Sequence, residues 1–116
     1  TPRNFKIKWI THPRFPGSVI PMFLSAHEVF LVPSLAAARG SLANATYDAL
    51  LVDYDLDDGK GDELVRELRA QGSIVPIVAV SATDHGNEAL SLAGANAVCR
   101  KTKFREINDV LATLVR

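Results

Sequence analysis

The stretch DALLVDYDLDDGKG, residues 48–61, contains an apolar run that ends at a carboxylate. The run from Ala49 to Val52 is apolar without alternation, which is typical of a strand covered on both faces of a sheet. Asp53 follows it directly. In open sheets of parallel strands, ligands bind beyond the carboxyl ends of the strands. The stretch therefore predicts a buried strand with a chemically useful acid at its end.

Short apolar runs alternate with helical patterns along the rest of the chain. Strands are predicted at 5–10, 28–32, 49–53, 74–80 and 97–99. Helices are predicted from a Ser18 cap to about residue 26, after a Ser34 cap, from an Asp62 cap to Gly72, over 88–93, and from about 107 to the C-terminus. Pro21 is expected in the first turn of the first helix. This alternation predicts an α/β fold, a doubly wound five-stranded parallel sheet with helices on both faces.

Composition narrows the class of protein. The 116 residues fit a single domain over 1–116, and 47% apolar with 22% charged residues are ordinary values for a globular chain. Thirteen basic and thirteen acidic residues cancel, which argues against nucleic-acid and membrane-surface binding. The single cysteine, Cys99, favours a reducing compartment and hence a cytoplasmic location.

Four predicted strands end at polar or charged residues, and parallel strands bring those ends to one rim. These residues are Thr11 and His12, Asp53, Ser81, and Arg100 and Lys101. A carboxylate can act as a nucleophile toward phosphorus, and a hydroxyl and an ammonium can hold the phosphoryl oxygens. Each residue alone is more often a cap or a solvated side chain. Their combination at successive strand ends favours a phosphoryl-binding site.

Three segments, LLVDYDLDDGKG, VPIVAVSAT and AGANAVCRK, resemble successive blocks of the receiver domain of bacterial response regulators. The resemblance implies a flavodoxin-like (βα)5 fold and a non-enzymatic role in two-component signalling, with a histidine kinase or another signalling protein as partner. It makes Asp53 the phosphoacceptor, Ser81 the hydroxyl that senses the phosphoryl group, and Lys101 the lysine of the last strand. It also makes Asp55 a magnesium ligand through its backbone carbonyl, and Gly61 the glycine that opens the next helix.

The chain departs from the receiver pattern where the family places a pair of acids after the first strand. Thr11 and His12 stand there, and no acid precedes Glu28. Magnesium prefers charged oxygen ligands, so a Mg²⁺ site is only weakly supported. Its candidate ligands are Asp53 and Asp55, with Asp57 or Asp58 as further candidates. We therefore expect a pseudo-receiver with weak or lost Mg²⁺-dependent phosphorylation, which acts through protein–protein interaction.

Three alternatives stay open at this point. One is a conventional receiver that a histidine kinase phosphorylates on Asp53. Another is a small hydrolase that uses His12, Asp53 and Ser81, although the Gly-x-Ser-x-Gly pattern is absent. The third is a flavin- or nucleotide-binding domain, although the glycine-rich fingerprints are absent. The sequence leaves open the partner, the oligomeric state, and whether the chain is a whole protein or a domain of a larger regulator or hybrid kinase.

Overall fold

The computed structural model describes residues 4–12 and 16–115. Its strands are β1 (Lys6–Ile10), β2 (Glu28–Val32), β3 (Ala49–Val52), β4 (Asp55–Leu56), β5 (Gly59–Lys60), β6 (Ile77–Ala79) and β7 (Ala97–Val98). Its helices are α1 (Pro16–Phe23), α2 (Leu35–Asn44), α3 (Gly61–Ala70), α4 (Asp84–Ala93) and α5 (Ile107–Leu114), and a 3₁₀ helix (Lys101–Glu106) precedes α5. Five strands form a parallel sheet in the order β2-β1-β3-β6-β7. The predicted fold class is confirmed.

The two faces of the sheet carry separate hydrophobic cores. Alternation along β1 sends Ile7 and Trp9 to one face, where α1 and α5 cover them. Ile10 belongs to the opposite face, which is packed against α2, α3 and α4. The strand β3 is fully buried, as its uninterrupted apolar run predicted. This double cover places the carboxyl ends of β1, β3 and β6 side by side at one rim.

A two-stranded antiparallel hairpin, β4–β5, lies between β3 and α3 and was not predicted. Its strands have two residues each, too short for a period in the sequence to indicate them. Ser34 caps α2 as predicted, since its hydroxyl accepts the Ala37 amide over 3.1 Å. The predicted Asp62 cap of α3 is wrong: Lys60 is the N-cap, and Asp62 lies in the first turn, where it pairs with Arg66 at 2.5 Å.

Two further boundaries differ from prediction. The helix α1 begins at Pro16, so Pro21 lies inside it and not in its first turn. A proline at the first helical position loses no helical hydrogen bond, which permits the earlier start. The helix α4 begins at Asp84, four residues before the predicted range, because the Thr83 hydroxyl caps it by accepting the Gly86 amide at 3.0 Å.

Candidate functional site

The Asp53 side chain is buried at the end of β3 and is held there by hydrogen bonds. Only 4% of Asp53 is exposed. Its Oδ2 accepts from Lys101 Nζ at 2.5 Å and from Thr11 Oγ1 at 3.0 Å. Its Oδ1 accepts the backbone amide of Tyr54 at 2.7 Å. Three donors, the Lys101 ammonium, the Thr11 hydroxyl and the Tyr54 amide, thus fix the position of both carboxyl oxygens of Asp53.

Gly61 lets the hairpin and α3 pack closely behind Asp53. A Cβ atom at position 61 would lie 1.9 Å from the Asp53 carbonyl oxygen, a separation that no side chain allows. The Gly61 amide also donates to the Tyr54 carbonyl at 2.7 Å. The glycine that the family resemblance singled out therefore has a local physical reason: it fixes the backbone that follows Asp53.

Ser81, at the carboxyl end of β6, is fixed by a buried asparagine that the sequence did not reveal. The Asn87 Oδ1 accepts the Ser81 amide at 2.9 Å, and the Asn87 Nδ2 donates to the Ser81 carbonyl at 3.1 Å. The Ser81 hydroxyl accepts the Thr83 amide at 3.2 Å. Gly86 leaves room for that hydroxyl, since a Cβ at position 86 would lie 2.4 Å from Ser81 Oγ.

One cleft joins four of the residues that the sequence placed at strand ends, His12, Asp53, Ser81 and Lys101. Arg100 does not line it and pairs with Asp84 at 3.0 Å. The rest of the lining comes from Asp55, Leu56, Asp57, Ala82 and Thr83. Lys101 reaches it from the start of the 3₁₀ helix, where its amide donates to the Ser81 carbonyl at 3.4 Å. The geometry thus unites an acid, an ammonium, a hydroxyl and an imidazole.

Two acids of the hairpin are committed to other partners. The Asp55 carboxylate forms an ion pair with Lys60 across the hairpin. The Asp58 carboxylate leaves the cleft and accepts the Leu35 and Ala36 amides, at 2.7 and 3.0 Å, at the start of α2. These backbone hydrogen bonds hold the pKa of Asp58 below its usual range. Asp58 therefore acts as a helix cap and does not supply a cleft ligand.

The donor set of the cleft fits Mg²⁺ poorly. Magnesium requires near-octahedral oxygen coordination, usually anchored by carboxylates. At the end of β1, Thr11 donates a hydrogen bond to Asp53, and the ammonium of Lys101 binds the same oxygen. Across residues 4–12 and 16–115, no group of three or more His, Cys, Asp or Glu side chains is placed to hold a metal ion. Among these described residues Asp53 is the one buried carboxylate of the cleft, and it faces cations and hydroxyls of its own chain.

Within the described part of the chain, none of the helices combines the length and the apolar character needed to cross a membrane.

Comparisons with known proteins agree with the fold. The family model of the response regulator receiver domain matches residues 22–113. The receiver domain of the sensor histidine kinase PA1611 from Pseudomonas aeruginosa, crystallised with magnesium in its active-site cleft, is 28% identical, with a TM-score of 0.83 over 97% of this chain and 98% of that one. The BeF3-activated receiver domain of RstA from Klebsiella pneumoniae is 25% identical, with a TM-score of 0.77 over 97% and 95%.

A curated relative is also similar over part of the chain. The probable transcriptional regulatory protein y4xI of Sinorhizobium fredii is 35% identical over 75 residues. The match covers 63% of this chain and 33% of that protein, so this chain corresponds to about a third of the relative's length.

Proposed function

Since this chain belongs to the response regulator receiver domain family and is a receiver domain of two-component signalling, we propose that its Mg²⁺-dependent phosphorylation on Asp53 is weak or lost. Its output then comes from binding a signalling protein, such as a histidine kinase, through a single domain over 1–116. The observation that carries the proposal is the surroundings of Asp53, whose Oδ2 is shared by Thr11 and Lys101. A cytoplasmic site of action is part of the proposal, because the one cysteine, Cys99, is a buried free thiol.

The electrostatics of the cleft favour this interpretation. In a conventional receiver a divalent cation offsets the charge of several acids, and metal stabilisation of a transferring phosphoryl group is worth several kcal/mol. Here Lys101 supplies one positive charge to one buried carboxylate, and the positions after β1 hold Thr11 and His12. A loss of about 4 kcal/mol of transition-state stabilisation slows phosphoryl transfer about a thousandfold.

A second candidate, a conventional receiver phosphorylated on Asp53 by a histidine kinase, is favoured by one specific observation. Asp53, Ser81 and Lys101, the three residues that the resemblance assigns to phosphorylation, line the same cleft. In that case Asp53 is the nucleophile, and Lys101 and Ser81 hold the phosphoryl oxygens. A hydrolase is less well supported, because the Ser81 hydroxyl is engaged by the Thr83 amide of its own turn.

Intact-mass spectrometry after incubation with a small-molecule phosphodonor and magnesium distinguishes the two. We expect no stoichiometric gain of one phosphoryl group, whereas a conventional receiver gains one. An adduct that forms in the native chain and is absent from Asp53→Asn would refute the proposal.

A gain-of-function variant tests the physical reason. The double substitution Thr11→Asp with His12→Asp introduces carboxylates at the two positions after β1. Because two acids then face Asp53, we expect the variant to unfold at a lower temperature without metal and to be stabilised by Mg²⁺ more than the native chain is. A native chain stabilised by Mg²⁺ as strongly as the variant would show that the acids are dispensable here.

A further inference from the structure

Two lysines of β1 lie against the same pair of aromatic rings, far from the phosphoacceptor cleft. The ammonium of Lys8 is 5.0 Å from the ring centre of Tyr47 and 5.5 Å from that of Phe30. The ammonium of Lys6 is 5.0 and 5.6 Å from the same two centres. The rings contact each other edge to face, 5.9 Å apart. We call these four residues the lysine–aromatic cluster.

The sequence pattern brings the cluster together. Lys6 and Lys8 are two residues apart on β1, so both side chains leave the same face of the sheet. Phe30 is the neighbour of Lys8 on β2, the strand at the edge of the sheet. Tyr47 packs on this face with the core beneath α2 and α3. Lys8 therefore occupies an inward position, where an apolar residue would be expected.

Lys8 is almost completely buried, and it forms no ion pair with any carboxylate of the described residues. Only 5% of it is exposed. Within residues 4–12 and 16–115, no carboxylate lies within 4.0 Å of the ammonium of either lysine. Two acids lie close to Lys6: Asp48 accepts the Lys6 backbone amide at 2.7 Å, and Glu28 stands beside Lys6 on β2.

Burial of an ammonium is unfavourable unless an opposite charge or a strong hydrogen-bond acceptor compensates. The ring faces of Phe30 and Tyr47 compensate part of this cost of burial through cation–π attraction. They supply no acceptor for the N–H donors of either ammonium. Phe30 is 37% exposed at the edge of the sheet and Lys6 is half-buried, so a small ion can reach the cluster from solvent.

We propose that the lysine–aromatic cluster is a second oxyanion-binding site, which takes a phosphate-type dianion. Two ammonium groups balance two negative charges, and the Tyr47 phenol offers a further O–H donor on the ring that both lysines contact. The ligand is inorganic phosphate or the phosphomonoester of a larger molecule. The site is separate from the Asp53 cleft, because the rise along the chain from Lys8 to Thr11 is about 10 Å.

A ¹⁵N-edited NMR titration of the whole chain with inorganic phosphate tests this, with sodium chloride of equal ionic strength as the control. We expect saturable shifts of the amides around Lys6, Lys8, Phe30 and Tyr47 at millimolar phosphate and none with chloride. A parallel titration with phosphoserine distinguishes the sources: tighter phosphoserine binding identifies a phosphomonoester, and tighter phosphate binding identifies the free ion. Shifts that do not saturate, or that chloride reproduces, would overturn the proposal.

Variants locate the binding. Lys8→Met removes the charge and keeps an apolar side chain at the buried position. Lys6→Met does the same at a half-buried position, so it tests the location of the phosphate site even if Lys8→Met does not fold. Each is expected to weaken phosphate binding at these amides by at least about tenfold, because one of two charges is lost. Lys101→Met, which alters only the Asp53 cleft, is expected to leave it unchanged. Loss of the shifts in Lys101→Met together with their persistence in Lys6→Met would place the phosphate at Asp53 and refute the second site.

Discussion

The Thr11 hydroxyl donates a hydrogen bond to Oδ2 of Asp53 over 3.0 Å, and only 1% of Thr11 is exposed. The bond joins the end of β1 to the end of β3, next to the backbone bond from the Asp53 amide to the Ile10 carbonyl at 2.9 Å. The position that the receiver family gives to an acid is thus used by a donor, which stabilises the carboxylate that a metal would otherwise bind.

Replacing Thr11 by Val tests the energetic part of this bond. The hydroxyl donates to a buried carboxylate, so its loss is expected to lower the free energy of unfolding by about 1.5–3 kcal/mol. Urea denaturation measures the change. Thr113→Val is the control: its hydroxyl bonds the Asp109 carbonyl on an exposed turn of α5, and we expect a change within about 0.5 kcal/mol. Equal effects of the two substitutions would contradict the role given to Thr11.

Asp58 gives a prediction with a pH dependence. Its carboxylate binds the Leu35 and Ala36 amides, which lower its pKa in the folded state below the ordinary value of 3.8. A group with a lowered folded pKa stabilises above its unfolded pKa, and this contribution is lost as the pH falls through the folded pKa. We expect Asp58→Ala to unfold at lower urea than the native chain near neutral pH, and the gap to narrow below about pH 4. Asp57→Ala, in the same hairpin, should show neither effect, and a gap independent of pH would argue against the capping carboxylate.

Two glycines of neighbouring helices should respond to alanine in opposite directions. At Gly61 the new methyl group collides with the Asp53 carbonyl, so Gly61→Ala is expected to destabilise the fold by about 3 kcal/mol. At Gly40, inside α2, nothing lies within 4 Å of the place that the new methyl group would take, and Gly40→Ala is expected to stabilise by about 0.5–1 kcal/mol. The unfolding temperatures of the two variants test both expectations. A Gly61→Ala protein as stable as the native chain would mean that the hairpin backbone can shift to make room for the methyl group.

Arg69 holds three segments together at the rim opposite Asp53. Its guanidinium donates to the carbonyls of Gly94, Ser73 and Val75 at 3.1, 3.0 and 2.8 Å, and to Asn96 Oδ1 at 2.8 Å. Partial burial lowers the pKa of Arg69. We expect Arg69→Met to reduce the free energy of unfolding by about 3 kcal/mol, since several acceptors of a charged donor are left without it.

Arg66→Met is the matched control for that experiment. Arg66 lies one turn earlier on α3 and pairs with Asp62 at i, i+4 spacing on the helix surface. Such pairs contribute about 0.3–0.5 kcal/mol, so the denaturation midpoint should barely move. Equal stability of the two methionine variants would show that the hydrogen bonds of the Arg69 guanidinium contribute no more to stability than the surface ion pair of Arg66 does.

Cys99 should be slow to react with thiol reagents in the folded protein. Burial raises the pKa of its thiol to about 11, because the thiolate is poorly solvated there. At neutral pH the reactive thiolate is then much scarcer than in an unfolded chain, where the pKa of cysteine is about 8.5. Alkylation by iodoacetamide, with and without denaturant, measures the ratio. Comparable rates in the two conditions would show that Cys99 is exposed by local opening.

The strands were predictable where burial on both sides left a clear apolar pattern. The alternating pattern of β1 and the uninterrupted apolar run of β3 predicted strands, and each lies between two neighbouring strands of the sheet. The start of β6 was predicted three residues early, at 74. Ile74 is 92% exposed, and Arg69 binds the carbonyls on either side of it, so the segment is a connection held by a side chain of the preceding helix.

The location of the cleft residues was predictable, and their hydrogen bonds were not. The strand ends predicted that Asp53, Ser81 and Lys101 meet at one rim, and all three line one cleft. Their roles stay predictions. The hydrogen bond from Thr11 to Asp53 depends on the register of β1 against β3, which no residue pattern in the sequence encodes. Asn87, which fixes Ser81, precedes the predicted helix 88–93, and nothing in the sequence sets it apart from a surface asparagine. Its 5% exposure and its hydrogen bonds to Ser81 reveal its role.

The short stretch 53–61 links Asp53 to two helices at once, because the Asp58 carboxylate binds the first amides of α2 and Gly61, at the start of α3, lies against the Asp53 backbone. Its length is therefore as constrained as its chemistry. One inserted or deleted residue would displace both the start of α3 and the Asp58 carboxylate that binds the first amides of α2. Side chains along this stretch are thus easier to exchange than the number of residues between Asp53 and Gly61 is to change.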